Sequence, residues 1–330
     1  MSWAAWWFDG VLVGSLIVLA WGSVMARDPF TGIVRYVIFG LLAALTWARL
    51  WAPDLALAEA AIGAGLTGAL LLSTLGRMGL SRSSGHAGEA LVPVPPRLTG
   101  RKPLPLGFPE LVLTLALAAG VAIGAAVMHL GAARSPGLGT AVVALLPQSG
   151  IESEVAAVLL DFRAYDTLLE MAVLLTAVLA IWCLGVIRFR RSPWRVDPVL
   201  ASLARALVPF LLLIAAWLLQ AGLHGPGGAF QAGAILGAAG VLWTLADRRA
   251  LRLGERRSAR VGLVLGLGTF AIGAFLPTLV GRPLLTWAPG SAPAWAWGIE
   301  LAIAVSVGLS LTALFMGGLA EVPHIDEEEP

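Results

Sequence analysis

The chain has 330 residues, 58% hydrophobic and 13% charged, with mean hydropathy +0.85 and net charge +2. A soluble domain is nearer half apolar and about a quarter charged, so the composition excludes an ordinary water-soluble core and fits a chain dissolved in lipid. The pI of 9.2 does not indicate nucleic acid, because the arginines stand between hydrophobic runs, where they act as orientation signals.

A bilayer needs about 20 mostly apolar residues per helix. Nine runs meet that length in chain order: Phe8–Met25, Ile33–Trp51, Leu55–Leu75, Leu111–Leu130, Thr167–Ile187, Leu203–Ala221, Ala229–Leu245, Val261–Val280 and Trp297–Leu319. The runs are continuous rather than alternating, so they predict helices and not a β-barrel. The expected fold class is all-α, a polytopic protein of about nine spans. The first run is too long for a signal peptide, with no basic n-region or clear cleavage site, and is expected to stay in the mature chain.

Basic residues fill three loops: Arg77 to Lys102, Arg188 to Arg195, and Arg248 to Arg260. With nine spans, all three fall on one side. The positive-inside rule then puts the N-terminus outside and the acidic tail, Glu321 to Glu329, in the cytoplasm. Tryptophans 3, 6, 7, 51, 287, 295 and 297 gather at the outer ends, as interfacial belts do.

Ser81–Pro105 is polar and rich in Pro and Gly, and reads as a cytoplasmic linker. Arg188–Pro198 is a basic juxtamembrane loop. They divide the chain into three, two and four helices: a module over 1–80, a linker over 81–108, and modules over 109–190 and 191–330. Between the fourth and fifth spans, Gly131–Ser149 reads as a loop. Ile151–Phe162, with acids at 152, 154 and 161, reads as a short amphipathic helix on the outer surface.

Ionisable residues inside a membrane are costly and are therefore candidates for function. Glu59 lies a little over one turn inside the third span, where it could exchange a proton for a cation; the plainer reading pairs it with Arg49. Asp54, just after Pro53, reads as a helix cap. Arg163, Asp166, Thr167 and Glu170 follow i, i+3, i+4, i+7 spacing, which puts them on one helical face, with Asp161 just before. Thr167 and Glu170 also fit a capping box at the start of the fifth span.

His224 precedes the Gly225-Pro226-Gly227-Gly228 break and reads first as a local hydrogen-bonding residue, though imidazole titrates near neutral pH. Gln220 and Gln231 would bond neighbouring helices. Glu300 enters the ninth span at the outer side, and Glu110 reads as an acid favoured at a helix start. Full burial of a carboxyl without counter-charge would fit a proton relay, whereas several oxygens around a cavity would fit Na⁺.

Cys183 is the only cysteine, so neither an intramolecular disulfide nor a Cys-based metal motif is expected. No phosphate-binding loop, Ser/His/Asp arrangement or paired His at ligand spacing is present. The chain is read as a non-enzyme with no cofactor.

Three motifs carry a family resemblance. Ala52-Pro53-Asp54-Leu55-Ala56-Leu57-Ala58-Glu59-Ala60 with Ile62-Gly63-Ala64-Gly65 resembles the D-type subunit of membrane-bound hydrogenases and the matching C-terminal part of the large Mrp antiporter subunit. Leu160 to Glu170 resembles the next, E-type segment, with Ala164 and Leu169 where that family usually has Gly. His224-Gly225-Pro226-Gly227-Gly228-Ala229-Phe230-Gln231-Ala232-Gly233 resembles the MnhB/MrpB family, with Ala229 and Ala232 in place of common glycines.

The order of the motifs is similar to a fusion of D, E and B pieces of an Mrp-type cation/proton antiporter. The resemblance implies a non-pumping subunit of a multisubunit complex in the bacterial inner membrane. Its implied partners are the large antiporter-like subunits, small C-, E-, F- and G-type subunits, lipid, Na⁺ and H⁺, with no nucleic acid. It further implies a likeness to the small complex I subunit whose third helix carries a π-bulge, and a sodium route near Glu59, Asp166 or Glu170. A redox-driven complex such as a membrane-bound hydrogenase, and a purely structural scaffold, are the alternatives.

Overall fold

The computed structural model describes residues 3–77, 120, 137–183, 198–246, 257–287 and 290–316. The chain divides into two units, Met1–Ser81 with Val142–Pro330, and Arg82–Ala141. The interhelix contacts given below belong to the first.

Among the described residues every regular element is helical. Helix α1 is Trp3–Val24 and α2 is Pro29–Arg49. Asp28 caps α2, accepting from the Thr31 N–H at 3.2 Å, and Pro29 takes the first helical position, where a missing N–H costs nothing. The third span has three parts: α3 (Pro53–Ala58), a π-helical segment (Glu59–Leu66) and α4 (Thr67–Arg77). After the linker come α5 (Leu138–Ser149), α6 (Glu154–Ala157), a second π-helical segment (Val158–Phe162) and α7 (Ala164–Cys183). Then follow α8 (Pro198–Gly222), α9 (Ala229–Ala246), α10 (Arg257–Phe275), a 3₁₀ turn (Leu276–Val280) and α11 (Ala292–Met316). Pro277, which has no N–H to donate, tightens the end of α10 into that 3₁₀ turn, and Gly281 closes it at φ 76°.

Eight helices among the described residues are long and apolar enough to cross a membrane, so the protein is an all-α, multi-pass membrane protein. They match eight of the nine expected spans. Of the fourth, Leu111–Leu130, only Gly120 is among the described residues; Glu110, the polar linker, most of the basic loops and the acidic tail lie outside them.

Helix α11 is the centre. Ile299, Ile303 and Val307 are fully buried along it, and α9 and α10 pack on either side. Lipid tails give little hydrophobic drive between helices, so close packing of small residues and interhelical hydrogen bonds must hold them. Glycines supply the close approach: a Cβ at Gly233 would stand 2.6 Å from Val307 Cβ, and one at Gly308 would stand 2.7 Å from Leu236 Cβ. On the other side of α11, Ser306 Oγ donates to Leu263 O at 2.5 Å. Ser306→Ala is expected to lower stability by about 0.6–1.7 kcal/mol, the range for hydrogen bonds between membrane helices. A thermal melt of the purified protein in detergent checks this. No shift in the melt would mean the bond contributes nothing net.

Two expectations are corrected. Residues 138–149 form a helix rather than a loop, even across Pro147. The segment 151–162 is helical from Glu154, but one of its faces packs into the protein core instead of lying free as a separate amphipathic helix. It meets α5 at 84°, and Ile151, Ala156, Ala157 and Leu160 are buried in the same core as Leu218, Ala229 and Ile299. Gly150, at φ 68°, makes the bend. Glu152 and Glu154 remain exposed on the opposite side. These acids suggested a surface helix, but they occupy only one face of a segment whose other face is core.

Large apolar side chains stay uncovered on α1, α2 and α8, among them Val18, Leu41, Phe210, Leu213 and Trp217. In a membrane protein such faces meet lipid or other transmembrane helices. Trp3, Trp6, Trp7 and Trp51 are also exposed, as an interfacial belt requires.

Candidate functional site

Asp54 does not cap its helix. Position N-cap belongs to Ala52, which makes no side-chain cap bond. The Asp54 carboxylate reaches 173 residues along the chain and accepts from the Gly227 N–H at 2.7 Å. Gln231 Nε2 lies 3.4 Å from both Asp54 Oδ1 and Asp54 O. Gln231 therefore does bond a neighbouring helix, whereas Gln220 is exposed. The cap reading fails because Asp54 sits within the first helical turn, where its side chain meets the glycine loop instead of its own amides.

The loop itself explains its composition. Gly227 and Gly228 have φ of 144° and 117°, a region that side chains rarely adopt. Gly228 N–H donates to Leu218 O at 2.9 Å. A Cβ on Gly227 would strike that carbonyl and stand 3.0 Å from Gly222 N. The α8–α9 connection thus folds flat over the end of α8, and the Gly227 N–H is left for Asp54.

Beneath the loop is a chamber of about 20 Å³, lined in part by Leu160, Thr167, Gly228, Gln231, Glu300 and Ile303. Glu300 is 5% exposed. Its Oε2 is buried with no hydrogen-bond partner. A Cβ on Gly228 would stand 3.6 Å from both Gln231 Oε1 and Glu300 Oε1, so these two oxygens flank the same point. Leaving a buried polar atom unsatisfied is costly, and this chamber exceeds the roughly 10–15 Å³ that one water needs. Glu300 ranks low in a sequence reading because it lies near the start of its span. Its burial follows from α11 being the central helix.

Glu59 opens the first π-helical segment and is half-buried. It does not pair with Arg49. Arg49 Nε lies 3.0 Å from Asp9 Oδ1, joining the end of α2 to the start of α1. Thr67 Oγ1 donates to Ile62 O at 2.8 Å, across the wide turn. The same segment presses on α2, where a Cβ at Gly40 would stand 2.9 Å from Ala64 Cβ. The Glu59 carboxylate folds back over Gly63, where a Cβ would collide with it. The π-bulge implied for the third helix is therefore present, and π-segments of this kind often mark functional positions.

The second acidic cluster is less unified than its spacing suggests. Helix α7 starts at Ala164, three residues before the expected capping box. Thr167 turns into the core, 1% exposed, and donates to Leu159 O at 2.7 Å, while Glu170 stays exposed. No capping box forms, because the helix already has a turn before Thr167. Arg163 and Asp166 form an ion pair at 2.5 Å, both substantially exposed. Asp161 is half-buried in the second π-segment. His224 Nε2 lies 3.5 Å from Glu152 Oε2, both exposed. Among the described residues no group of three or more His, Cys, Asp or Glu could hold a metal ion.

The structure thus joins Asp54, Gln231 and Glu300 into one site. Glu170 and His224 line no part of the chamber. Residues 14–79 match the MbhD family model, which describes the D-type component of MBH. Residues 199–318 match the domain related to the MnhB subunit of Na+/H+ antiporter. The two matches cover separate stretches of the chain. Asp54 and Glu59 belong to the MbhD match; Gln231 and Glu300 belong to the MnhB-related match. The bond from Asp54 to Gly227 therefore crosses from one matched stretch to the other. A solved structure titled "Structure of Mrp complex from Dietzia sp. DQ12-45-1b" contains a similar fold, with TM-score 0.69 and 22% identity. The match covers 95% of this chain and 35% of that chain, so this chain spans about a third of its length. No curated protein matches.

Proposed function

We propose that the chain is a non-pumping membrane subunit of an Mrp-type cation/proton antiporter, in which fused D-, E- and B-type pieces lend a polar path and hold partners together. The observation that carries this reading is the bond between the two matched stretches, Asp54 to Gly227 at 2.7 Å, beside a carboxyl buried without a hydrogen-bond partner on Oε2. Polar groups at membrane depth are expensive and are kept where they bind or relay something. In this reading the E-type segment, residues 109–190, supplies the wall that includes Leu160 and Thr167. Large antiporter-like subunits would carry the main proton channels, and the small subunits would cover the exposed apolar faces. The bacterial inner membrane is the setting.

In this reading Glu59, in the same span as Asp54, belongs to the ion path. In everted vesicles containing the chain with its partner subunits, Glu59→Gln is expected to lower Na⁺-dependent proton exchange roughly tenfold, an ordinary coupling energy between sites. Native gels must show an intact complex. Gly63→Ala should act similarly with little loss of stability, since the added methyl meets only the flexible end of Glu59 and pushes the carboxylate aside. Unchanged exchange in both variants would move the scaffold reading to first place.

The match of residues 14–79 to the MbhD model favours one alternative, a membrane-arm component of a redox-driven complex. Purification of the native complex separates the two. Co-purifying hydrogenase- or quinone-type peripheral subunits would select the redox-driven assembly.

A further inference from the structure

The hydrogen-bonding groups around the chamber restrict what it can hold. Gln231 Nε2 faces two oxygens of Asp54, each at 3.4 Å. An amide presents its oxygen opposite its nitrogen, so Gln231 Oε1 is turned to the chamber, beside Glu300. If Glu300 were ionised, the carboxylate and the amide oxygen that faces it would both be acceptors only. Two acceptors cannot satisfy each other. The Thr167 hydroxyl is already donated to Leu159 O, and no basic side chain lines the chamber. Ala229, Phe230 and Gln231 open α9 beside it with backbone N–H groups free of intrahelical acceptors, but none of these donates to Glu300 Oε2, which has no partner.

We propose that Glu300 holds a proton beside a single water in this chamber, and that Asp54, acting through Gln231, is the positioning residue that keeps the proton there. The Asp54 charge attracts the Gln231 amide hydrogens and so selects which end of the amide meets Glu300. A protonated carboxyl then supplies the missing donor, directly or through one water, for which the chamber has room. The site binds a proton rather than Na⁺. Hard metal cations take several oxygen ligands, and side-chain oxygen around the chamber comes from Glu300, Gln231 and the committed Thr167 alone. Of the lining residues only Glu300 titrates. Asp54 reaches it through Gln231, while Glu154, Asp161, the Arg163–Asp166 pair and the His224–Glu152 pair line no part of the chamber.

This deepens the transporter reading and rests on it only for the use made of the proton. The test is labelling by dicyclohexylcarbodiimide of the whole complex in native membranes. The reagent adds an undissociated carboxylic acid across one C=N bond, and the O-acylisourea rearranges to an N-acylurea with no leaving group. Peptide mass spectrometry locates the adduct. Glu300 is expected to be labelled at neutral pH, equally with and without NaCl, and less as pH rises. Asp54→Asn keeps an oxygen for the Gly227 N–H but frees Gln231 to turn its NH₂ toward Glu300. A donor to the carboxylate should then slow labelling about tenfold and move its pH profile to lower pH, which a merely structural role of Asp54 would not do.

An infrared difference spectrum of wild type against Glu300→Gln guards against poor reagent entry, because an unionised carboxyl stretch must be lost in the variant. Absence of both adduct and carboxyl stretch would overturn the proton site. Protection by NaCl at fixed pH would make it a sodium site. Wild-type labelling in Asp54→Asn would remove Asp54 from control of the proton. Labelling with no ion exchange would sink the antiporter reading and leave the proton site standing.

Discussion

Gly227→Ala is expected to remove most of the folded complex from the membrane. The residue has φ 144°, and an added Cβ would strike Leu218 O while lying 3.0 Å from Gly222 N. Both neighbours are backbone and cannot rotate away. Strained dihedrals and overpacking together should destabilise by roughly 2–6 kcal/mol. The effect extends beyond the loop, because moving Gly227 withdraws the N–H that Asp54 bonds. Gly225→Ala in the same loop is the control. Nothing lies within 4 Å of its Cβ position, and such open sites usually change stability by less than about 0.5 kcal/mol. Detergent melts and native gels of both variants read the difference. Equal stability of the two would mean that the loop relaxes and that its flat path over α8 is not required.

Asp54→Ala should loosen the stretch that matches MbhD, residues 14–79, from the stretch that matches the MnhB-related domain, residues 199–318. The variant leaves the Gly227 N–H without its acceptor and the Gln231 amide with only the backbone oxygen of residue 54. The short bond to a charged acceptor alone is worth about 1.5–3 kcal/mol, and the longer side-chain contact with Gln231 adds to it. A lower melting temperature, dissociation on native gels and lost exchange are expected together. Asp54→Asn should recover the melting temperature but not the exchange, since it restores an oxygen for Gly227 without the charge that orients Gln231. Recovery of both would make the contact purely structural. Full stability of Asp54→Ala would show that packing elsewhere, such as Leu66 in the shared core, holds the two stretches together unaided.

Much of the architecture was legible in the residues. Eight expected spans correspond to helices because a run of about 20 apolar residues has one stable form in lipid. Glu59 stood out for the same reason, since charge at such depth is rare, whereas Asp54 read as a cap and Glu300 as an acid at the outer end of its span. The glycine-rich break before α9 was visible from composition. The reading of 151–162 missed its packing where a local pattern had two solutions: acids on one side and apolar residues on the other describe a helix with its apolar face in lipid and equally one with that face in a protein core.

Partnership was not legible. Arg49 reads most simply with nearby Glu59, yet it bonds Asp9, because antiparallel packing of α1 on α2 brings residues 40 positions apart together. Asp54 looks like a cap until the tertiary fold sets Gly227 beside it. The sequence by itself determined the helices, their number within the described spans and the few polar groups they carry, since hydrophobic length and backbone hydrogen bonding are local demands. Only the tertiary structure decided that Glu300, rather than Glu170, is the enclosed carboxyl. Burial depends on which helix becomes the centre, and that is set by the small-residue seams along which α9 and α10 close on α11.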